Sequence, residues 1–172
     1  MSNALKKYIR EIPDFPQKGI LFYDISTLLK DPLALRKTVD RFVWLFSEQH
    51  VHKVIGIESR GFMFGPIVAY NLNAGFVPVR KPGKLPAATV NQSYDLEYGS
   101  DCVEMHEDAI EDGERVLIVD DLLATGGTAA ATAQLVSSQG GEVVGLGFIV
   151  ELSFLNGRDK LGNYPIESLI TY

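Results

Sequence analysis

The sequence contains few of the residues that mark secreted, membrane-spanning or zinc-binding proteins. Cys102 is the single cysteine among 172 residues, which excludes an intrachain disulfide framework and is typical of a reducing cytosol. The three histidines share no metal-ligand spacing with Cys102, and no apolar run approaches the roughly 18 residues of a membrane span. A net charge of −6 disfavours a broad nucleic-acid surface. We therefore expect a cytoplasmic protein with neither a membrane nor a nucleic-acid partner.

What the sequence does contain is an alternation of apolar runs and amphipathic segments. Short strands are predicted at residues 53–58 and 75–81, and continuous apolar runs at residues 115–120 and 143–150 predict strands that are covered on both faces. Helices are predicted between them, and another begins after Asp31, an N-cap that is followed by Pro32. This pattern predicts an α/β fold with a central, mainly parallel sheet flanked by helices, in one domain spanning residues 1–172. Functional residues are expected at the carboxyl ends of its strands.

Two other stretches complete the predicted outline. Residues 2–11 carry apolar side chains at helical spacing, which predicts a short N-terminal helix. Residues 82–98 have no apolar period, two prolines and a small polar middle, which predicts a long mobile loop. Long loops within compact domains are usually functional, so this segment is a candidate part of the site.

The stretch VLIVDDLLATGGT, residues 116–128, places Asp120 and Asp121 where a predicted strand becomes a loop, ahead of a predicted helix. Adjacent ionised carboxylates bind a divalent cation or a sugar diol, because they supply only acceptors. The small residues that follow let backbone N–H groups approach an anion at a helix N-terminus. Alone, either half is an ordinary turn. Together they suit a ribose 5-phosphate. The stretch is not a P-loop, because the lysine of that motif is missing, and no dinucleotide-binding GxGxxG opens the helix.

Two groups of cations accompany this stretch. Arg60 follows Glu58 and Ser59 at the end of another predicted strand, where it is suited either to a phosphate or to an ion pair with Glu58. A second group at residues 80–84 contains two lysines and an arginine beside the predicted loop. A short basic cluster is commonly a solvated patch, but its place in an acidic protein favours an anion-binding role.

These motifs together resemble the type I phosphoribosyltransferases. DLLATGGT, with DFP…KGI.FYDIS, ESRGFMFGP, VRKPGKLP, YDLEYG and VELSFLNGRDKL, resembles the adenine phosphoribosyltransferase family in order, from residue 13 to residue 161. The resemblance implies a glycosyltransferase of purine salvage that transfers the phosphoribosyl group of phosphoribosyl pyrophosphate to adenine, giving AMP and pyrophosphate. It also implies Mg²⁺ carried by substrate, a homodimer, a base-covering hood within residues 1–30 and a flexible flap, the mobile catalytic loop at 82–98.

The resemblance also assigns individual residues to parts of the substrates. Those implied to bind ribose 5-phosphate are Asp120, Asp121, Ala124, Thr125, Gly126, Gly127 and Thr128, the two acids also reaching Mg²⁺ through water. Those implied to bind pyrophosphate are Ser59, Arg60, Lys81 and Lys84. Those implied to bind adenine are Leu21, Phe22, Tyr23 and Leu152. A cis peptide bond is implied between Glu58 and Ser59, and Tyr98 is implied to help close the lid.

The choice of base depends on Ala124 and Glu97. In the related enzymes that act on 6-oxopurines, the resemblance implies an aspartate at the position of Ala124. Alanine cannot transfer a proton. The acid/base role near the purine nitrogens therefore passes to Glu97, which favours adenine. Tyr23 replaces an arginine that many relatives have. Two alternatives are a phosphoribosyltransferase for another base and a non-catalytic regulator that senses phosphoribosyl pyrophosphate.

The role of Glu97 generates the first testable prediction. Glu97→Gln removes the group that holds or transfers the purine proton, so kcat is expected to fall more than KM for phosphoribosyl pyrophosphate rises. Steady-state kinetics measures both constants. Unchanged turnover would remove Glu97 from the chemistry.

Overall fold

The computed structural model describes residues 3–95 and 99–172, which form nine strands and five α-helices. The strands are β1 (Arg10–Pro13), β2 (Leu21–Asp24), β3 (Lys53–Ile57), β4 (Gly75–Val79), β5 (Thr89–Asp95), β6 (Ser100–His106), β7 (Arg115–Leu123), β8 (Glu142–Glu151) and β9 (Ile166–Thr171). The α-helices are α1 (Asn3–Lys6), α2 (Ser26–Leu29), α3 (Pro32–Phe46), α4 (Gly65–Asn71) and α5 (Gly127–Ser138). Short 3-10 helices cover Ser47–Gln49, Arg60–Met63, Ser153–Leu155 and Gly157–Leu161. Of these described helices, none combines the length and the apolar character that crossing a bilayer requires.

A five-stranded parallel sheet, in the order β4-β3-β7-β8-β9, forms the centre of the fold. Its middle strands are continuous apolar runs because helices and loops cover both faces; from Val116 to Val119 every residue of β7 is fully buried. One apolar cluster includes α3 and α4, and the other includes α5. The predicted α/β class with a parallel central sheet is confirmed. The strand β9 was not predicted.

Two small antiparallel hairpins lie outside the central sheet. β1 pairs with β2 near the N-terminus, and β5 pairs with β6. The helix predicted over residues 2–11 is therefore wrong beyond Lys6, because Arg10–Pro13 is extended and pairs with Leu21–Asp24. The prediction of one domain over residues 1–172, with the hood at 1–30, stays a prediction.

The segment 82–98 is also more regular than the predicted loop. Residues Thr89–Asp95 form β5, where Val90 and Tyr94 are partly buried against the α5 side of the core. Only two apolar side chains face inward along this strand, which explains why its alternation gave little signal in the sequence. The mobility of the segment and its catalytic role stay predictions.

The N-terminus of α3 confirms the predicted cap. One carboxylate oxygen of Asp31 accepts the backbone N–H of Leu33 at 3.0 Å and that of Ala34 at 2.8 Å, and Pro32 begins the helix. These bonds satisfy two of the N–H groups that have no partner within the helix. Through Phe42 and Phe46, which are buried, α3 packs against the central sheet.

Removal of this cap is expected to destabilise the fold measurably. Asp31→Ala should cost about 1 kcal/mol of unfolding free energy, because it leaves two backbone N–H groups without their acceptor. For a chain of this size that corresponds to a melting temperature about 2–4 °C lower. Asp31→Asn keeps an oxygen acceptor and serves as the control in thermal unfolding. An Asp31→Ala protein as stable as the control would contradict the capping role.

Candidate active site

A cleft of about 460 Å³ opens at the carboxyl ends of β3 and β7. Its walls combine the acid pair and the loop after it with the segment around Arg60 and the basic group at residues 80–84, because parallel strands end at the same edge of the sheet. The lining residues are Ile57, Glu58, Ser59, Arg60, Lys81, Asp120, Asp121, Leu122, Ala124 and Thr128. The structure thus brings the acid pair together with most of the predicted anion-binding side chains.

The phosphate loop, defined here as Ala124–Thr128, connects β7 to the first turn of α5. It lines a second, smaller cavity of about 80 Å³. Gly126 has φ of +78°, a conformation that favours glycine, and a Cβ there would lie 2.2 Å from the carbonyl oxygen of Gly157. This close backbone contact leaves the first N–H groups of α5 at the cavity, which suits an anion such as a phosphate.

The two aspartates lie inside the last part of β7, which continues to Leu123, three residues beyond the predicted end at residue 120. The Arg60 side chain pairs with that of Asp121, with 2.6 Å between Nε and Oδ2, and the Asp121 side chain is 7% exposed. One oxygen of Asp120 accepts the backbone N–H of Asp121 at 2.9 Å. Burial, and then the charge of Asp121, raises the pKa of Asp120 well above its usual value. Burial also raises the pKa of Asp121, although Arg60 opposes it.

Glu58 organises the basic cluster, a role that sequence reasoning missed. Its carboxylate accepts from Arg80 Nε at 3.2 Å, from Lys84 Nζ at 2.6 Å and from the backbone N–H of Lys81 at 3.1 Å. Although burial alone raises the pKa of Glu58, the bonds from Lys84, Arg80 and Lys81 outweigh it and lower the pKa to about 2. The alternative pairing of Glu58 with Arg60 is therefore replaced by pairs with Arg80 and Lys84. The Glu58–Ser59 peptide bond is cis, as the resemblance implied.

Tyr94 on β5 joins two parts of the site and was also missed. Its hydroxyl accepts from Lys81 Nζ at 3.0 Å and from Thr128 Oγ1 at 3.1 Å, and donates to Asp101 at 3.1 Å. Lys81 also pairs directly with Asp101 on β6. A tyrosine within a segment predicted to be a loop offered no sequence signal for this network. It connects the basic cluster to the phosphate loop through a single hydroxyl.

The predicted base-binding residues lie in two places. The Phe22 ring centre lies 5.3 Å from Cζ of Arg60, which lines the cleft. The neighbouring Leu21 is 41% exposed to solvent. Tyr23 instead turns its ring into the core, 4.1 Å from that of Tyr172, which leaves only its backbone for a ligand. Leu152 is buried after β8, where its N–H donates to the carbonyl of Leu123 at 2.9 Å. Glu97 and Tyr98 lie outside the described residues, and their roles stay predictions.

The raised pKa values of the acid pair generate a prediction about stability. A carboxyl whose pKa is higher in the folded state contributes stability below its unfolded pKa, and that contribution is lost as the pH rises through the folded pKa. At neutral pH the ionised pair is therefore destabilising. We expect Asp120→Asn to raise both the unfolding free energy and the melting temperature at pH 7.

Thermal unfolding between pH 4 and pH 8 measures this effect, and the gain should shrink as the pH approaches the usual aspartate pKa of about 3.9. Asp159→Asn changes an exposed acid and is the control. A lower melting temperature for Asp120→Asn at pH 7 would contradict the assigned destabilisation.

Comparison with known proteins identifies the family to which this geometry belongs. Residues 24–161 match the phosphoribosyl transferase domain. The adenine phosphoribosyltransferase of Solibacter usitatus is 60% identical over 168 residues, covering 98% of this chain and 97% of that protein. That of Koribacter versatilis is 56% identical over 170 residues, covering 99% and 93%.

Solved structures of the same kind superpose on the whole chain. The adenine phosphoribosyltransferase of Thermoanaerobacter pseudethanolicus has a TM-score of 0.96 at 51% identity, with both chains covered fully. The Saccharomyces cerevisiae enzyme, solved with adenine and an imino-altritol bisphosphate, has a TM-score of 0.93 at 42% identity and 98% coverage of each chain. The chain therefore belongs to the adenine phosphoribosyltransferase family.

Proposed function

We propose that this protein transfers the 5-phosphoribosyl group from phosphoribosyl pyrophosphate to adenine, giving AMP and pyrophosphate. The observation that carries the proposal is the single cleft in which the acid pair, the phosphate loop and two of the predicted pyrophosphate-binding cations meet. A ribose that carries a phosphate at one end and a pyrophosphate at the other needs the acid pair, the phosphate loop and the cations in one place. Membership of the family agrees with this assignment.

The sugar end of the substrate would be held by the acid pair and the phosphate loop. Asp120 and Asp121 offer acceptors to the two ribose hydroxyls, and the loop offers N–H groups and the hydroxyls of Thr125 and Thr128 to the 5-phosphate. This grip lies away from the bond that breaks. It therefore orients the anomeric carbon and supplies binding energy without taking part in the chemistry.

The leaving group would be held by an exchange of ion pairs. Arg60 pairs with Asp121, Lys81 with Asp101 and Lys84 with Glu58. Pyrophosphate oxygens would replace these carboxylates as acceptors, with Ser59 as a further donor, and charge-assisted bonds of this kind are the strong ones. When Arg60 turns to pyrophosphate, Asp121 is released to the ribose. Negative charge that develops on the departing group is stabilised by the same cations.

Magnesium fits this donor set as an ion held mainly by its substrate. Mg²⁺ is usually bound by one or two carboxylates together with substrate phosphates, and the ion usually keeps several of its waters. Asp120 and Asp121 would hold it through water. Bound there, Mg²⁺ would neutralise charge on the phosphate oxygens. The buried, raised-pKa pair would ionise more readily beside a cation.

The base would lie between the N-terminal hairpin and the turn after β8. Phe22 and Leu21 would cover one face, Leu152 would line the other, and Tyr23 would contribute backbone groups alone. The relative from Giardia lamblia, 36% identical, was solved with 9-deazaadenine, which supports a purine at this position in the family. We assign the proton transfer to Glu97 and the closing contact to Tyr98, with the segment 82–98 excluding water.

We further propose a cytoplasmic homodimer built from one domain over residues 1–172. An exposed apolar patch supports the dimer: Met63, Ile67 and Tyr70 are 49%, 39% and 85% exposed on the segment that follows Arg60. Patches of this kind mark contact surfaces. The single cysteine supports the compartment.

The test of the function is AMP formation from phosphoribosyl pyrophosphate, Mg²⁺ and adenine, measured in parallel with hypoxanthine, guanine and orotate. Adenine alone is expected to be consumed at an appreciable rate. Asp121→Asn should lower kcat/KM for phosphoribosyl pyrophosphate by roughly 1–3 kcal/mol of lost charged hydrogen bonding. Asp31→Asn, at a position outside the residues that line the cleft, is the matched control. Consumption of another base in place of adenine, or binding without turnover, would contradict the proposal.

A further inference from the structure

An ion pair beside the site has no place in the reaction described so far. Glu151, the last residue of β8, is 6% exposed, and its two oxygens accept from Nε and Nη2 of Arg158 at 2.7 Å each. A further guanidinium nitrogen of Arg158 donates to the carbonyl of Ile166 at 3.3 Å. Because a bidentate pair fixes orientation as well as distance, these bonds set the path of the chain between residues 151 and 158.

That path passes against the phosphate loop. A Cβ on Gly157, the residue before Arg158, would lie 2.2 Å from the carbonyl oxygen of Ala124, so the two backbones are in direct contact. The approach is mutual, since Gly126 meets the carbonyl of Gly157 in the same way. The turn that precedes it contains Asn156 at φ of +52°, an uncommon conformation that needs support from its surroundings.

The same segment begins at the proposed base wall. Leu152 follows Glu151 directly, and its N–H donates to the carbonyl of Leu123, the residue just before the phosphate loop. One end of the segment therefore rests on residue 123 and the other on residues 124–126. A shift of the turn would move the base wall and the back of the phosphate loop together.

We propose that Arg158, acting through Glu151, is a positioning residue that holds the phosphate loop and the Leu152 wall in one fixed relation. Neither side chain touches substrate. The inference rests on the proposed assignment of these two segments to the 5-phosphate and to adenine. It assigns a role to the late GRDKL motif, which the reaction itself left unused.

The test is the double variant Glu151→Gln with Arg158→Gln, which removes both charges and so avoids leaving one buried charge without its partner. The Kd for ribose 5-phosphate, measured by titration calorimetry, is expected to rise about tenfold, the size of one lost supporting charged hydrogen bond. The relative from Trypanosoma brucei was solved with this ligand, AMP and pyrophosphate. KM for adenine should rise together with it.

The chain offers a matched control. Nη1 of Arg115 donates to both carboxylate oxygens of Glu142, at 2.9 and 2.8 Å, in an ion pair that joins the other ends of β7 and β8. Arg115→Gln with Glu142→Gln should leave the Kd for ribose 5-phosphate unchanged. Equal weakening by both double variants, or a lower melting temperature of the Glu151 and Arg158 variant with unchanged Kd and KM, would overturn the proposal.

A second variant reaches the same contact without touching the ion pair. Gly157→Ala should push the carbonyl of Ala124 away and weaken ribose 5-phosphate binding as the double variant does. Gly75→Ala, where the new methyl meets only the flexible end of Lys53, is its control. Wild-type binding by the Gly157→Ala protein would overturn the proposal. Absence of binding by the unsubstituted protein would contradict the proposed function, and with it this inference.

Discussion

The ion pair between Arg60 and Asp121 is the contact on which the arrangement of the site depends. A carboxylate that is buried at the end of a central strand is costly unless a cation compensates it. Register supplies the cation, because β3 lies beside β7 and both strands end at the same edge. The adjacent Asp120 adds a second carboxylate, so this part of the cleft contains more negative charge than Arg60 alone can neutralise. A cation bound there would offset this excess charge.

The remaining cations of the site are also held by carboxylates. Glu58 gathers Arg80 and Lys84 on one side of the cleft, and Asp101 holds Lys81 on the other. Pairing of this kind keeps long flexible side chains in place before substrate arrives, which lowers the entropy that binding must remove. It also limits the unfavourable repulsion among cations that would otherwise face one another. An anion bound in the cleft would therefore meet donors whose geometry is largely preset.

Much of this could be predicted from the sequence, for reasons that are local. Continuous apolar runs predicted the parallel sheet, Asp31 with Pro32 predicted the start of α3, and the ordered motifs predicted the family. Prediction failed where the outcome depends on distant partners. The partner of Arg60 could not be chosen by spacing alone, and two inward side chains were too weak a pattern to reveal β5. Tyr94 and Glu58 acquire their roles only when strands from separate regions meet. Glu97, the choice of acid/base, lies outside the described residues.

The contact between Gly126 and Gly157 also limits how this site can vary. Two backbones that touch without side chains between them can change only in concert, since a methyl on either one meets a carbonyl of the other segment. Residues 123–128 and 151–158 are therefore coupled, although 22 residues of the chain lie between them. Exchange of the phosphate loop for that of a relative would require exchange of the second segment as well. Substitution of Gly126 or Gly157 alone would force one of the two segments to move.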